Sequence, residues 1–349
     1  MFFSFIKYQL VQLINQCIYR SGGFKVKMLS NRKVLGITLL MLLTFSSSYA
    51  VEKKGGLVLS FDDGYSSWIR IIAPELKRVG GKATGFVNNQ RIRFGDMSFE
   101  DLRTLQNTYG WEIGTHTYHH FNAPVFVQQK GLSVWIKDEL DASFSELTSE
   151  ELKIHSMVFP YNASSKKLGT EVMKKFRSFR REEVYPINNR VNKDGSIPGT
   201  EIDIGFYVPL THVFKWIDFT LQQDKLLFLY GHKVLPDDAF ITGKVASVSK
   251  LELVSKEKVR TSGEQDLCLV PDTRRRLYKT IKVSSIDGET ITVTHGDLTT
   301  MSKADADFIV GPCYGIQFSY FRSMIEYAAG RLPFYTTQEA IEKMRQASK

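Results

Sequence analysis

Cysteine is scarce in this sequence, and its three copies, Cys17, Cys268 and Cys313, stand far apart in no zinc-finger spacing, which excludes a cysteine-rich structural zinc module. Low-complexity tracts and internal repeats are also missing, and with 10 prolines in 349 residues and 43% hydrophobic content the chain reads as globular. No clear nucleophile-elbow motif surrounds Ser60 or Ser66, which argues against a serine hydrolase. Residues 1–50 lack acidic side chains altogether while carrying Lys7, Arg20, Lys25, Lys27, Arg32 and Lys33. Setting those six aside leaves 40 basic against 37 acidic residues, so the formal charge of +9 falls to +3. A nucleic-acid partner thereby loses its main support.

The basic, acid-free segment has a different explanation. Met28 to Lys33 forms a short basic region, Val34 to Phe45 an apolar one, and Ser48 and Ala50 put small residues where a signal peptidase reads. The apolar run is shorter than the roughly 20 residues a membrane span needs, so cleavage after Ala50 is expected rather than a stable span. The expected location is outside the cytoplasm, periplasmic or extracellular. Residues 1–27 precede this signal and read as a translation start placed upstream of Met28, the alternative being an added amphipathic membrane-surface segment. In an oxidising compartment Cys268 and Cys313 are free to form one disulfide, a pairing the sequence leaves open.

From Val51 onwards apolar runs alternate with helical spacing. Leu57 to Phe61 reads as a buried strand ending in Asp62-Asp63-Gly64, and Ser66 to Val79 as a helix stopped by Gly80-Gly81. Ala83 to Val87 is a second strand, Ser98 caps a helix with Phe99, Leu102 and Leu105 on one face, and Trp111 to His116 is a third strand. Helix at Val134 to Leu152, strand at Ser156 to Phe159, helix at Lys166 to Phe176, helix at Val213 to Gln223 and strand at Leu226 to Tyr230 continue the pattern. Strands alternating with helices, each strand ending in reactive side chains, predict a distorted α/β barrel of (β/α) type with its site at the C-terminal strand ends. The segments Lys244 to Val254, Arg276 to Ser285 and Thr290 to His295 are instead β-branched with period two, and Asp287-Gly288 is a hairpin signal. The predicted organisation is a leader at 1–50, a barrel at 51–239, a small β-rich insertion at 240–310, and a closing strand and helices at 311–349.

Asp62-Asp63-Gly64 has the ordinary reading of a strand-to-loop turn. His116-Thr117-Tyr118-His119-His120 changes its weight, because imidazoles four residues apart on a helix or tight loop come to one side and can share one ion. With a strand-end carboxylate they form a two-His-one-carboxylate set that leaves positions open for water and substrate. His155 and His212 sit at element edges as solvated or capping groups, Trp68, Trp111 and Trp135 read as core aromatics, and His295-Gly296-Asp297 as a turn, a sugar-contacting loop being the alternative.

These residues resemble the polysaccharide deacetylases, carbohydrate esterase family 4, with its NodB-like domain. Phe61-Asp62-Asp63-Gly64 is similar to the first motif, His116 to His120 to the second, Phe159-Pro160-Tyr161 to the third and Leu229-Tyr230-Gly231-His232 to the last. The likeness implies that Asp63, His116 and His120 hold a divalent metal, Zn2+ first among the candidates. It further implies Asp62 as general base, His232 as general acid, and Tyr161 with Pro160 at the oxyanion and substrate side. The implied activity is metal-dependent removal of acetyl groups from an N-acetylated amino-sugar polysaccharide or oligosaccharide. The chemistry needs this set: a water to activate, a carbonyl oxygen to stabilise and a proton for the departing amine.

Three departures from the family pattern stand out, the first being Phe121 where a proline commonly follows the second histidine motif. Val158 occupies the position where the third motif often carries an arginine that partners the base, with Arg180 or Arg181 at a later strand end as candidate replacements and surface solvation as the ordinary role for at least one of them, and no Asp/Trp motif is evident between Tyr161 and Leu226, Trp216-Ile217-Asp218 reading as a helix face. Two rival readings share the residues: an O-deacetylase or amidase with the same site, and a non-catalytic carbohydrate-binding protein.

Overall fold

Along the first strand Leu57, Leu59 and Phe61 enter one hydrophobic cluster and Val58 another, as period-two geometry requires. The first cluster packs the sheet against surrounding helices through Trp68, Leu76, Leu102 and Leu105; the second, with Ile197, Phe228, Ile341 and Met344, fills the other face. On the Val58 face the strand continues as Ser60 and Asp62, so a carboxylate ends an otherwise small and apolar row.

The computed structural model describes residues 55–181, 185–188, 190–256, 266–273, 281–294, 298–300 and 306–346. The leader with Cys17 and the His295-Gly296-Asp297 turn lie outside the described residues. Among those described, no helix is long and apolar enough to cross a membrane.

The main sheet contains β1 (Gly56–Asp63), β2 (Thr84–Val87), β3 (Glu112–Thr115), β4 (Ile154–Val158), β5 (Phe179–Arg180), β6 (Ile187–Asn188), β7 (Ser196–Ile197), β8 (Thr200–Glu201) and β9 (Leu226–Gly231). Its order is β6-β9-β1-β2-β3-β4-β5-β7, parallel throughout except for β6 against β9. β8 pairs with β9, so the two-residue link from β7 to β8 carries the chain from one end of the sheet to the other. The sheet therefore curls into a distorted barrel whose last join is a covalent crossing. Gly199 lies in that link, where a Cβ would fall 2.4 Å from Arg180 Cδ.

Two short strands after this sheet route the chain through a second β unit. β10 (Lys233–Leu235) pairs in parallel with β17 (Gly315–Gln317). Between them, β11 (Ile241–Val248), β12 (Glu252–Ser255), β13 (Leu267–Val270), β14 (Ile281–Asp287), β15 (Thr290–Val293) and β16 (Asp307–Pro312) close a six-stranded barrel in the order β11-β12-β15-β14-β13-β16. Val245, Leu253, Leu269, Ile291 and Phe308 fill a core of its own. Cys268 and Cys313 are joined by a disulfide. A helix at Phe318–Ala329, the strand β18 (Phe334–Tyr335) beside β1, and a helix at Thr337–Gln346 complete the chain.

Differences from the sequence expectation are local. The helix expected over Ser66 to Val79 is a wide π turn at Trp68–Ile72 that runs directly into α-helix at Ala73–Arg78, with Pro74, which has no N–H to donate, just after the join. The helix Ala123–Lys130 was not anticipated; capped by Asn122, it has little of the one-sided apolar patterning that marks a helix in sequence. β6, β7 and β8 lie between the helices expected at Lys166 to Phe176 and Val213 to Gln223, where the sequence predicts no strand, since two-residue strands carry no period to detect.

Candidate active site

Asp62 and Asp63 end β1 and both line one cavity of about 610 Å³. Neighbouring strand residues normally point to opposite faces; Asp63 escapes this with φ +81°, which turns its carboxylate towards the histidine loop. Five of the eight non-glycine residues with positive φ among those described line the same cavity: Asp63, His120, Tyr161, Asn162 and Asp266. Such conformations cost roughly 1–3 kcal/mol each and persist where surrounding structure fixes them.

His116 follows β3 directly and is buried, its Nδ1 2.9 Å from the Val158 carbonyl. That acceptor sets Nδ1 as the protonated nitrogen and leaves Nε2 with a lone pair. His120 Nε2 lies 3.1 Å from His116 Nε2 and 3.2 Å from Asp63 Oδ1, while His116 Nε2 is 3.5 Å from the same oxygen. Two ligands about 2.0–2.1 Å from a tetrahedral Zn2+ stand roughly 3.3 Å apart, so the spacing of the three donor atoms fits a shared divalent ion. His119, the histidine that made the motif ambiguous, is held elsewhere: buried Glu139 accepts from its ring Nδ1 at 2.6 Å and from its backbone N–H at 2.9 Å.

Asp62 faces a different partner. Arg180 Nη1 donates to Asp62 Oδ1 at 2.9 Å and Nη2 donates to Oδ2, a two-pronged pair with both side chains buried. Burial opposes the charged carboxylate, but the Arg180 guanidinium outweighs it and holds the Asp62 pKa down at about 2. Val158 and Arg180 are register partners across β4 and β5, so the cation absent from position 158 sits one strand over at the same height of the sheet. Arg181 points away to Asp194 at 2.9 Å and is partly exposed. The Arg180 guanidinium also lies 3.6 Å from the Tyr230 ring centre, and the Tyr230 hydroxyl accepts from Asn162 Nδ2 at 2.8 Å.

His232 follows β9, and its Nδ1 is 2.6 Å from Asp203 Oδ2, with Trp68 Nε1 donating to its backbone carbonyl at 2.8 Å. Burial favours the neutral ring, but the Asp203 carboxylate prevails and lifts the His232 pKa to about 10. His232 is therefore an imidazolium at neutral pH, with its other nitrogen free for the cavity. Glu201, Asp203 and His232 also cluster closely enough to suggest a cation site, but the short Asp203–His232 hydrogen bond accounts for that grouping.

Tyr161 lies in the left-handed region at φ +58°, its ring centre 4.8 Å from that of His120, and is largely exposed in the cavity wall. Pro160 is buried behind it and shapes the turn rather than the wall. Asp203 carries no motif; the alternation Glu201-Ile202-Asp203-Ile204, with both isoleucines buried, was the available signal. Tyr65, Arg91, Glu201 and Tyr314 complete much of the lining and had no sequence signal.

Residues 50–175 match the polysaccharide deacetylase family. The match contains the first three motifs and bears out the resemblance; the fourth, ending in His232, lies beyond it. No curated protein matches the chain. Among solved structures the chain is similar to peptidoglycan deacetylase PdaC from Bacillus subtilis, at 11% identity over 84% of this chain and 94% of that one, with a TM-score of 0.40. It is also similar to a family 4 carbohydrate esterase from Streptomyces lividans in complex with acetate, at 18% identity over 39% of this chain and 66% of that one, with a TM-score of 0.32.

Proposed function

We propose that this protein is an exported, metal-dependent hydrolase that removes acetyl groups from an N-acetylated amino-sugar polysaccharide or oligosaccharide. The observation that carries the reading is the meeting, in one cavity, of the Asp63–His116–His120 donor set with two buried pairs of opposite sense, Asp62–Arg180 and His232–Asp203. Amide hydrolysis requires a base and an acid ionised oppositely at the same pH, and these pairs supply that difference.

Asp63, His116 and His120 would hold the divalent metal, Zn2+ first, which when bound would lower the pKa of a water to about 7 and polarise the substrate carbonyl. Both Asp62 oxygens are engaged by Arg180, so Asp62 is held off the donor set and kept ionised, ready to take a proton through a remaining lone pair. His232, already protonated, gives its proton to the departing nitrogen. The backbone N–H of Tyr161 serves the carbonyl oxygen as charge builds there. Arg180 also weakens the case for a non-catalytic sugar binder, which drew its support from the valine at position 158.

Acetate release from acetylated amino-sugar polymers, measured with chelation and metal add-back, tests this function. Release from acetylated xylan but not from chitin-like oligomers would transfer the site to O-deacetylation. Full activity after Asp63→Ala or His116→Ala would sink the proposal.

A further inference from the structure

The six-stranded barrel lies outside the alternating strand–helix scaffold, yet it delivers two residues to the cavity. Asp266 immediately precedes β13 and Tyr314 lies in the turn between β16 and β17; both line the wall. The Tyr314 ring centre is 4.9 Å from that of His232, at an interplanar angle of 62°. Topology produces this meeting across 82 positions. Lys233 and Gly315 are register partners in the parallel β10–β17 pair, so the residues before them, His232 and Tyr314, arrive side by side.

The turn is fastened from three directions. The Cys268–Cys313 disulfide joins β13 to the residue before Tyr314. Cys313 N–H donates to the Asp266 carbonyl at 3.0 Å, and the Cys313 carbonyl accepts from Gly205 N–H at 2.7 Å. A Cβ on Gly205 would stand 2.8 Å from that carbonyl oxygen, so glycine permits the approach. Gly205 is two residues from Asp203, and the wall is thereby tied to the segment that carries the partner of His232. Although fixed in this way, Tyr314 remains 48% exposed. A rigidly held aromatic that keeps half its surface in a polar cavity, beside a proton donor, is suited to a ligand with an apolar face and hydroxyl rim.

We propose that the six-stranded barrel is a specificity element of the cavity: Tyr314 is a positioning residue that packs against a pyranose ring of the substrate, and Asp266 accepts from its hydroxyls. The inference rests on the deacetylase reading for the class of substrate. The test uses the metal-loaded full chain with the N-acetylglucosamine tetramer, reading binding by calorimetry and acetate release separately. Tyr314→Ala is expected to raise the Kd and KM about tenfold while kcat stays within twofold and metal content and melting temperature are unchanged. Tyr314→Phe should restore both constants, and the double variant Cys268→Ser with Cys313→Ser should weaken binding in the same direction. Wild-type Kd and KM in Tyr314→Ala, or no binding of the tetramer by the wild type, would overturn the proposal. Tetramer binding that depends on Tyr314 without acetate release would support the wall and refute the deacetylase reading alone.

Discussion

Two ion pairs each give one member to the same cavity, the fully buried Asp62–Arg180 from β1 and β5 and the part-buried His232–Asp203 from the end of β9 and the segment after β8. Each couples a side chain from a recognisable motif to an oppositely charged partner from outside any motif. In both, burial works against the charged group and the partner overcomes it, yet one carboxylate is driven down to about 2 and one imidazole up to about 10. The lesson is that a single device, a partner charge in a water-poor site, holds a carboxylate ionised and an imidazole protonated at the same pH, the sign being set by which member of each pair faces the cavity.

The largest expected effect removes what the two pairs share. Asp63→Ala should lose bound metal, measured by atomic absorption, and lower acetate release by about 10³-fold or more. Breaking the pairs one at a time then separates them. Arg180→Met and Asp203→Asn should each lower kcat by about 10²–10⁴-fold. Only Arg180→Met should also cost about 3–5 kcal/mol in urea unfolding, because it leaves the Asp62 carboxylate buried and unpaired, whereas His232 escapes by losing its proton. Equal stability losses in the two variants would break the comparison.

Titration sharpens it further. The folded-state pKa of His232 is raised above the ordinary value of 6.5, so its pairing with Asp203 stabilises the fold fully below 6.5 and ceases to do so as pH rises through about 10. The acid function follows the same sense: kcat falls as pH rises through the pKa of His232, a bound cation lowering that midpoint. In Asp203→Asn the burial term remains without the compensating charge, and the descending limb should move to lower pH by more than a unit. A pH–rate profile unchanged by Asp203→Asn would assign the acid elsewhere. The smallest effect is expected at His119→Ala, which should leave kcat within about twofold, since His119 is bound to Glu139 rather than to the donor set.

Several parts of this architecture were legible in order along the chain. The alternating strands and helices predicted the curled parallel sheet, and capping by Ser98 was visible in Ser98-Phe99-Glu100-Asp101 before the structure placed Asp101 in a reciprocal cap. Asp63, His116 and His120 could be read as a candidate donor set because groups able to share one ion are drawn from short segments whose spacing backbone geometry limits, and Asp62 because it adjoins Asp63 at the same strand end. The ambiguity between His119 and His120 could not, since it depends on Glu139, twenty residues away.

What tertiary structure alone decided were the partners. Arg180 reaches Asp62 across 118 positions, Asp203 reaches His232 across 29, and Tyr314 meets His232 through the β10–β17 register. A charge partner need only arrive at a point in space, and any strand of a closed sheet can bring it there. The valine at position 158 and the arginine at 180 illustrate the reason: parallel register puts them at one level of the sheet, so the electrostatic requirement is met while the linear motif is not. By itself the sequence determined the strand ends and the candidate site groups on them, because those are local; closure of the sheet determined which charges tune them, because Coulombic interaction depends on distance and burial rather than on order along the chain.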